Sequence, residues 1–327
     1  MNLCLPLSKL RRPNPGQSLL QQLAPLPKAM GNSTSYVLIT PARNEADFIE
    51  LTIHSVIAQT LLPLKWVIVS DGSTDATDEI VLRYTAEHSW IELLRMPERT
   101  ERHFAGKVHA FNAGYERIRG LHPNVIANLD ADVSFEPDYC SFLLDKFAEN
   151  PRLGVAGTSF REGGLAYNYE FVGLEHVSGM CQMFRRDCYE SINGYSALKS
   201  GGIDLIAVLS ARAKGWETRT FVEKQFVHHR IQGGALHIGL RGRSYTGRKD
   251  YLMGNHPLWE IFRGAYQMTR KPYLIGGMTV LASYFWAFLQ GAKRTMPREL
   301  VAIRQDDQMK RLKAVLRRRL SLVGNPL

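Results

Sequence analysis

The chain has 327 residues, 45% of them hydrophobic, and a formal net charge of +10. This length and composition exclude a disordered chain or a fibrous repeat, and they suit one large domain or a domain with an appendage. The four cysteines, Cys4, Cys140, Cys181 and Cys188, show neither metal-binding spacing nor a disulfide framework, which indicates a reducing compartment.

Polar loops follow the first two predicted strands. The apolar run at 36–40 ends in Pro41-Ala42-Arg43-Asn44-Glu45, and an amphipathic helix follows near 46–59. The strand near 66–70 opens into Asp71-Gly72-Ser73-Thr74-Asp75, a turn rich in hydrogen-bond acceptors and small residues. In an open parallel sheet such loops gather along one edge, where ligands bind.

A third strand, near 125–129, ends at Asp130-Ala131-Asp132. Two carboxylates on alternate residues at the exit of a strand can bind a divalent cation and the phosphate that it carries. Alone, this motif also suits a solvated turn. Its place beside two other polar strand ends favours the cation-binding interpretation.

Further strands are predicted near 91–94 and 153–158, and helices near 76–88, 107–119 and 137–149. This alternation predicts an α/β fold with a mostly parallel sheet flanked by helices. Neither a Gly-x-Gly-x-x-Gly motif nor a phosphate-loop lysine motif is present, so a dinucleotide-dependent oxidoreductase and a P-loop protein lose their main support.

The positive charge is concentrated in the last third. Residues 231–327 carry 17 Lys and Arg against 5 Asp and Glu, so they are basic while the rest is nearly neutral. Residues 274–289 are uncharged and have basic pairs at 270–271 and 293–294 on either side. This stretch is shorter than the roughly 20 residues of a membrane span. We expect an interfacial or re-entrant segment, with a buried core helix as the alternative.

Seven segments follow one another in a distinctive order. They are Thr40-Pro41-Ala42-Arg43-Asn44-Glu45, Val69-Ser70-Asp71-Gly72-Ser73-Thr74-Asp75, Gly106-Lys107-Val108-His109-Ala110-Phe111-Asn112-Ala113-Gly114, Asp130-Ala131-Asp132, Arg185-Arg186, Ile192-Asn193-Gly194-Tyr195, and Gly202-Ile203-Asp204 leading to Lys214-Gly215-Trp216. Over residues 35 to 230 this series resembles the family 2 glycosyltransferases, inverting enzymes with the Rossmann-like GT-A fold. The resemblance implies a nucleotide-sugar donor.

The resemblance also implies a donor site at the strand ends. Asp71 would accept a hydrogen bond from the base or ribose, with Thr40, Pro41 and Glu45 shaping the pocket. The alternative for Asp71 is a cap on its own turn. Lys107 would face the nucleotide or diphosphate, because a cation at a helix start needs a compensating anion. The alternative for Lys107 is a solvated surface lysine.

For the chemistry, the resemblance implies that Asp132 ligates Mg²⁺ or Mn²⁺ and that Asp130 contacts the ribose or the metal shell. Asp204 matches the catalytic base that takes the proton of the acceptor hydroxyl, and one direct displacement then inverts the anomeric carbon. Ile203 stands where relatives usually carry a glutamate, and Ser70 where many carry an aspartate. The tuning of the base is therefore left open.

The Gln-x-x-Arg-Trp motif of many relatives does not follow the base. The segment 227–232 stands in its place, and we expect its two histidines, His228 and His229, and Arg230 to close over the diphosphate, with ordinary loop residues as the alternative. This departure argues against a processive synthase and favours the addition of a single sugar.

We divide the chain into a tail (1–34), a catalytic domain (35–230) and a basic, helical, membrane-associating region (231–327). The expected reaction moves a sugar, from a UDP-sugar by preference, to a lipid-linked saccharide in surface polysaccharide biosynthesis. The expected place is the cytoplasm, at the inner face of the cell membrane, because no signal peptide is found and the apolar segment beside the cations favours anionic lipid over nucleic acid.

Three alternatives from other classes remain open. They are a non-catalytic nucleotide-binding regulator, a nucleic-acid-binding protein that uses the basic region, and a nucleotidyltransferase that releases pyrophosphate. Asp132 and Asp204 speak against a non-catalytic protein. Salt-dependent oligonucleotide binding would favour the second alternative.

Overall fold

The computed structural model describes residues 34–98, 104–163, 165–166, 173–198, 201–230 and 239–323. The tail predicted for residues 1–34 lies outside these ranges except for its last residue. The strands are β1 (Tyr36–Ala42), β2 (Lys65–Asp71), β3 (Ile91–Met96), β4 (Val125–Leu129), β5 (Val133–Phe135), β6 (Leu153–Glu162), β7 (Leu165–Ala166), β8 (Cys181–Arg185) and β9 (Glu217–His228).

The helices of the described chain alternate with the strands and then continue alone. They are α1 (Ile49–Ile57), α2 (Thr77–Glu87), α3 (Phe104–Ile118), α4 (Tyr139–Glu149), α5 (Arg186–Ser191), α6 (Ile203–Ala213), α7 (Gly239–Leu252), α8 (Pro257–Met268), α9 (Ile275–Leu289) and α10 (Arg298–Val323). The α/β class and the helical C-terminal region follow the prediction.

All the described strands join one sheet in the order β3-β2-β1-β4-β8-β6-β9-β5, with β7 paired to β6. Strands β1 to β4 pair in parallel, as do β6 and β9. However, β8 lies antiparallel between β4 and β6, and β5 is antiparallel to β9. The sheet is therefore mixed but mostly parallel, because β1, β2, β3, β4, β6 and β9 run in one direction and only the short strands β5, β7 and β8, which were not predicted, run in the other.

Both faces of the sheet are buried, and alternate residues of each central strand enter different cores. Leu38 and Trp66 face one hydrophobic core with helices α1, α2 and α4, whereas Ile39 and Val67 face a second core with α3, α5 and α6. Strands covered on both faces read as continuous apolar runs, which is why β1, β2 and β4 were visible in the sequence. Each such side chain stabilises the fold by about 1.5–3 kcal/mol.

The C-terminal helices pack onto this sheet structure through α6. Ile206 and Leu209 of α6 form a third cluster with Leu300 and Val301 at the start of α10. Farther along, the guanidinium of Arg212 forms a bidentate ion pair with Asp307, with Nη2 2.9 Å from Oδ1. Both ends of α6 are thus fixed against α10.

Helices α7, α8 and α9 approach one another closely because glycine lies at their contacts. A side chain at Gly247 would collide with the carbonyl oxygen of Val280, and one at Gly277 with the carbonyl oxygen of Gly264. The predicted apolar segment 274–289 forms α9. Its Tyr284 is fully buried against this bundle.

The other side of α9 is exposed and apolar. We call this surface the outer apolar face, and every member of it is more than half exposed: Leu274, Ile275, Met278, Trp286, Phe288 and Leu289. Within the ranges that the structure describes, no helix is both long enough and apolar enough to cross a membrane.

Candidate active site

Asp130 leaves the end of β4 and forms an ion pair with Lys107 in the first turns of α3. Lys107 Nζ also donates to the carbonyl oxygen of Gly179, 3.2 Å away, and the Asn128 side-chain amide donates to the same oxygen at 2.5 Å. Burial raises the pKa of the Asp130 carboxyl, and the Lys107 charge opposes that shift. Two predicted donor residues, Asp130 and Lys107, thus meet directly, and Lys107 also contacts the backbone just before β8.

Asp132 lies on the other side of the turn, beside the end of β9. Its Oδ2 is 3.4 Å from His228 Nε2, and the opposite ring nitrogen of His228 is 3.3 Å from Glu162 Oε2. The register of β5 against β9, with Val133 opposite His228, creates this contact. Carboxylate, imidazole and second carboxylate therefore form one row.

The protonation of this row follows from its contacts. Burial alone would raise the pKa of Asp132, but the hydrogen bonds and charges of His228 and Arg230 outweigh it and lower that pKa. Burial alone would lower the pKa of His228, and Asp132 and Glu162 together raise it. The row holds an ionised carboxylate next to a readily protonated imidazole.

Arg230 joins Asp132 to Glu45. Its Nε lies 3.3 Å from Asp132 Oδ2, its Nη2 pairs with Glu45 Oε2, and its guanidinium lies over the Phe48 ring, 5.3 Å from the centroid. Burial raises the pKa of Glu45 to about 7, although Arg230 acts against the shift. Three predicted residues from distant parts of the chain thus meet at one edge of the sheet.

The loop that carries Glu45 is fixed to the loop after β2. Asn44 has a left-handed backbone (φ 56°), and its side-chain oxygen accepts a hydrogen bond from the Thr74 amide at 2.8 Å. The Glu45 amide donates to Thr77 Oγ1 at 2.8 Å. Asp71, buried at the end of β2, opens this second loop. The two polar loops expected to meet are therefore in contact.

The remaining predicted donor residues lie at different depths. Thr40 is fully buried in β1, and its hydroxyl accepts a hydrogen bond from Trp66 Nε1 at 2.9 Å. Pro41 is half-buried in the same strand. The His229 ring stacks on Phe48, with a ring nitrogen 2.8 Å from Ser134 Oγ. These contacts give Thr40 and His229 packing roles, and their donor contacts stay predictions.

Asp204 lies in the first turn of α6, which starts after Gly202 in a left-handed conformation (φ 80°). A Cβ added to Gly179 would lie 2.8 Å from Asp204 Cβ, so the segment that receives Lys107 also touches the predicted base. Asp204 Oδ2 is 4.0 Å from His176 Nε2. One short segment, residues 173–180, therefore separates the Asp130 cluster from Asp204.

The donor set around Asp132 fits a divalent ion that is shared with a ligand. Across the described ranges no three His, Cys, Asp or Glu side chains converge on one point. Asp132 can supply an oxygen and His228, in its neutral form, a nitrogen, and Glu162 can orient the imidazole from behind, as outer partners of metal-bound histidines do. Phosphate oxygens would complete the coordination, the usual arrangement for Mg²⁺.

The sequence interpretation did not assign Glu162 or Asn128, and it did not distinguish His228 from His229. The alternation at the end of β9 gives a partial signal, because Phe226 and His228 are buried while Val227 between them is exposed. That alternation predicts a buried side chain for His228, the last residue of the strand, and makes no prediction for His229, which follows the strand. The partner of His228 could not be found in this way, because it depends on the pairing of β5 with β9.

The fold is an α/β sheet that gathers charged and polar side chains at its strand ends and places a separate carboxylate, Asp204, across a short segment. The model for "Glycosyl transferase family 2" matches residues 37–194. This match includes the strand ends that carry Asp71, Asp130 and Asp132. The resemblance drawn from the motifs, and with it the enzyme class, is confirmed.

Individual comparisons agree with this assignment. The 4,4'-diaponeurosporenoate glycosyltransferase of Staphylococcus aureus is 34% identical over 274 residues, which are 83% of this chain and 65% of the relative. The succinoglycan biosynthesis protein ExoA of Rhizobium meliloti is 26% identical over 191 residues, 50% of this chain and 53% of the relative. The chain thus spans less than two thirds of either protein.

Among solved structures, a mannosyltransferase from Pyrobaculum calidifontis superposes with a TM-score of 0.53 at 17% identity. The superposition covers 85% of this chain and 80% of that chain. The predicted GT-A fold is confirmed by this likeness.

Proposed function

We propose that this protein is an inverting glycosyltransferase that moves one sugar from a nucleotide diphosphate sugar to the hydroxyl of a lipid-linked saccharide. The observation that carries the proposal is the arrangement of Asp132, His228 and Arg230 at the strand ends, with Asp204 beyond the 173–180 segment. One half of this arrangement suits a phosphorylated leaving group, and the other suits proton removal.

For the donor, Asp71, Glu45 and Lys107 surround the position expected for the nucleotide. A divalent ion, Mg²⁺ or Mn²⁺, held by Asp132 and His228 would supply positive charge to the departing diphosphate. Arg230 now bridges Glu45 and Asp132, and it can instead bind phosphate oxygens through its planar guanidinium. Lys107 holds Asp130 in place and adds a second cation.

For the acceptor, Asp204 takes the hydroxyl proton as that oxygen attacks the anomeric carbon. The new bond forms opposite the bond to the diphosphate, which leaves with its electron pair, so the configuration is inverted. Ile206 and Leu209 in the apolar core position α6 and fix the direction of its first turn.

The nature of the donor is supported by the structural neighbour. The Pyrobaculum mannosyltransferase is described in complex with GDP-Man and Mn²⁺. We therefore propose a nucleotide sugar, a UDP-sugar being favoured and a GDP-sugar the second choice. Relatives named for succinoglycan biosynthesis support a role in polysaccharide assembly.

We further propose that the C-terminal region associates with the inner face of the cell membrane. The outer apolar face on α9 exposes large side chains, and basic pairs at 270–271 and 293–294 lie at its two ends. Apolar side chains bordered by cations suit the interface of an anionic bilayer. The division of the chain at residue 230 rests on the same argument.

The test is a calorimetric screen of the whole protein against UDP-, GDP-, dTDP- and CMP-sugars with Mn²⁺, Mg²⁺ or EDTA. We expect one nucleotide to bind in a metal-dependent way and Asp132→Asn to weaken that binding. Release of pyrophosphate from a nucleoside triphosphate would identify a nucleotidyltransferase instead. Absence of binding to every donor would refute the proposed function.

A further inference from the structure

A cavity of about 470 Å³ lies between α6, α8 and α10. Its wall on the α6 side includes Leu205, Val208 and Leu209, which follow Asp204 along the same helix. The described chain therefore has a ligand-sized space on the side of α6 that faces the C-terminal helices, next to the predicted base.

His176 connects this cavity to Asp204. It lines the cavity, and its Nε2 is 4.0 Å from Asp204 Oδ2. Its other ring nitrogen is buried without a hydrogen-bond partner among the residues that the structure covers. A buried polar atom without a partner is costly, so this nitrogen is available to a bound molecule.

The cavity is lined by four arginines, and three of them have carboxylate partners. The pairs are Arg212 with Asp307, Arg263 with Asp250, and Arg311 with Glu175. Paired guanidinium groups keep little free charge for a ligand. The fourth arginine is different.

Arg304 forms no ion pair with any carboxylate of the described ranges. Its Nε donates to Asn255 Oδ1 at 2.8 Å, and the same oxygen accepts from Gln308 Nε2 at 2.7 Å. The Asn255 amide in turn donates to Glu260 Oε2 at 2.8 Å. This network fixes the stem of Arg304, and no hydrogen bond from its terminal nitrogens to a described residue is found.

The surroundings of Arg304 disfavour its charged form. Burial lowers the pKa of Arg304 to about 10, although Asp250 and Glu260 attract it. Asp250 is already paired with Arg263, and Glu260 with Asn255. An anion in the cavity would supply the partner that this half-buried guanidinium lacks.

The opposite wall is aromatic. Trp259 and Phe262 of α8 contact each other with ring centroids 5.6 Å apart, and Tyr266 lies one turn farther along. Such rings contact apolar chains or the faces of sugars. The cavity thus combines one unpaired cation with an apolar wall.

We propose that this cavity is the acceptor site and that it takes an amphipathic acceptor whose phosphate or carboxylate binds Arg304 while its apolar portion contacts Trp259 and Phe262. The inference rests on the proposed function, because it takes Asp204 as the base. It adds the chemical class of the acceptor, an anion with an apolar chain, and the residue that recognises the anion.

The test is titration calorimetry of the full chain with decyl phosphate, decanoate, decyl glucoside and inorganic phosphate, each below its aggregation concentration. We expect an anionic chain to bind at least about tenfold more tightly than decyl glucoside, since hydrogen bonds to charged groups are the stronger ones. Preference for decyl phosphate or for decanoate then identifies the anion. Inorganic phosphate should bind more weakly than decyl phosphate.

Arg304→Gln is expected to remove the preference for the anion, and Arg304→Lys to restore part of it. The matched control is Arg317→Gln, which removes the same charge from an exposed position on α10. Trp259→Ala should weaken both ionic and neutral chains. Equal binding of decyl glucoside and the anions, or unchanged anion binding in a folded Arg304→Gln protein, would overturn the proposal.

The same samples are titrated with the nucleotide that binds in the donor screen. Nucleotide binding without anion binding rejects the acceptor site and leaves the proposed function standing. Anion binding without binding of any nucleotide sugar rejects the proposed function and leaves an anion-binding cavity.

Discussion

At the scale of single residues, the contact between Asp132 and His228 is the part of the site with the clearest chemical purpose. The imidazole has one nitrogen near Asp132 and the other near Glu162, so its orientation is fixed from both sides. His229, the neighbour in sequence, instead stacks on Phe48. Two adjacent histidines therefore have separable roles.

We predict that His228→Ala weakens Mn²⁺-dependent nucleotide binding by about 10–100-fold or more and that Glu162→Gln weakens it by about 10–100-fold, the usual effect of losing an outer partner. His229→Ala should have a smaller effect. Calorimetric titration with and without EDTA measures these changes. Equal losses in both histidine variants would contradict the assignment.

Asp204→Asn should separate binding from chemistry. The variant keeps the size of the side chain and loses the ability to take a proton, so kcat should fall by about 10²–10⁴-fold, the range of general base catalysis. The dissociation constant for the nucleotide should not change, because the 173–180 segment separates Asp204 from the donor cluster. Turnover at the original rate would exclude Asp204 as the base.

At the scale of secondary structure, β1 to β4 and β6 were predictable, whereas β5, β7, β8 and β9 were not. Strands β1, β2 and β4 are apolar runs buried on both faces, and α1 to α4 show helical periodicity. Strand β8 and strand β9 are recognised only through distant pairing, β8 between β4 and β6 and β9 beside β6. Local patterns do not carry that information.

The candidate site was predictable only to the same extent, because local sequence patterns do not show which strands pair. Asp71, Asp130 and Asp132 end strands that the sequence revealed, so their place at one edge could be predicted. The proximity of Arg230 to Glu45 was not predictable, since 185 positions separate them and their contact depends on β9. Residues that end strands recognisable from their hydrophobic pattern could be located from the sequence. Residues whose location depends on how distant strands pair could be located only in the structure.

Helix α8 carries a carboxyl group whose burial makes stability depend on pH. Glu260 is fully buried, one of its oxygens has no partner among the described residues, and burial raises its pKa to about 7. A raised pKa means that the stabilising contribution is complete below the unfolded pKa of about 4.5 and is lost as the pH rises through the folded one.

We therefore predict that Glu260→Gln changes the pH profile of unfolding. Relative to the original protein, the variant should gain up to about 3 kcal/mol in free energy of unfolding between pH 5 and pH 8.5. Urea denaturation at both pH values measures this gain. The exposed Glu299→Gln should follow the original protein, and a parallel profile for Glu260→Gln would refute the prediction.

At the scale of the whole molecule, the C-terminal helices are bound to the helix that carries Asp204. The bidentate pair of Arg212 with Asp307 and the apolar cluster at the start of α10 join both ends of α6 to that region. The proposed catalytic and membrane-associating regions thus share a core. We therefore expect a structural change at the outer apolar face to shift the position of Asp204 through few intermediate packing contacts.

Membrane association can be tested on that face. Leu289→Ser and Trp286→Ser should each lower the affinity for anionic phospholipid vesicles by about tenfold, because a buried large apolar side chain contributes about 1.5–3 kcal/mol. The exposed Leu82→Ser on α2 is the matched control. Sedimentation with vesicles should also show weaker binding at higher salt, since screening reduces the attraction of the cations. Identical binding to uncharged vesicles would argue against this surface.

The glycine contacts among α7, α8 and α9 determine the distance between the cavity and the outer apolar face. Because Gly264 and Gly277 let the backbones of α8 and α9 touch, the aromatic wall of the cavity and the outer apolar face are separated by two closely packed helices, each about 10 Å across. An acceptor anchored in a bilayer would need a spacer of about that reach to place its head in the cavity. The thickness of the bundle would then select acceptors by the length of the spacer between their membrane anchor and their head.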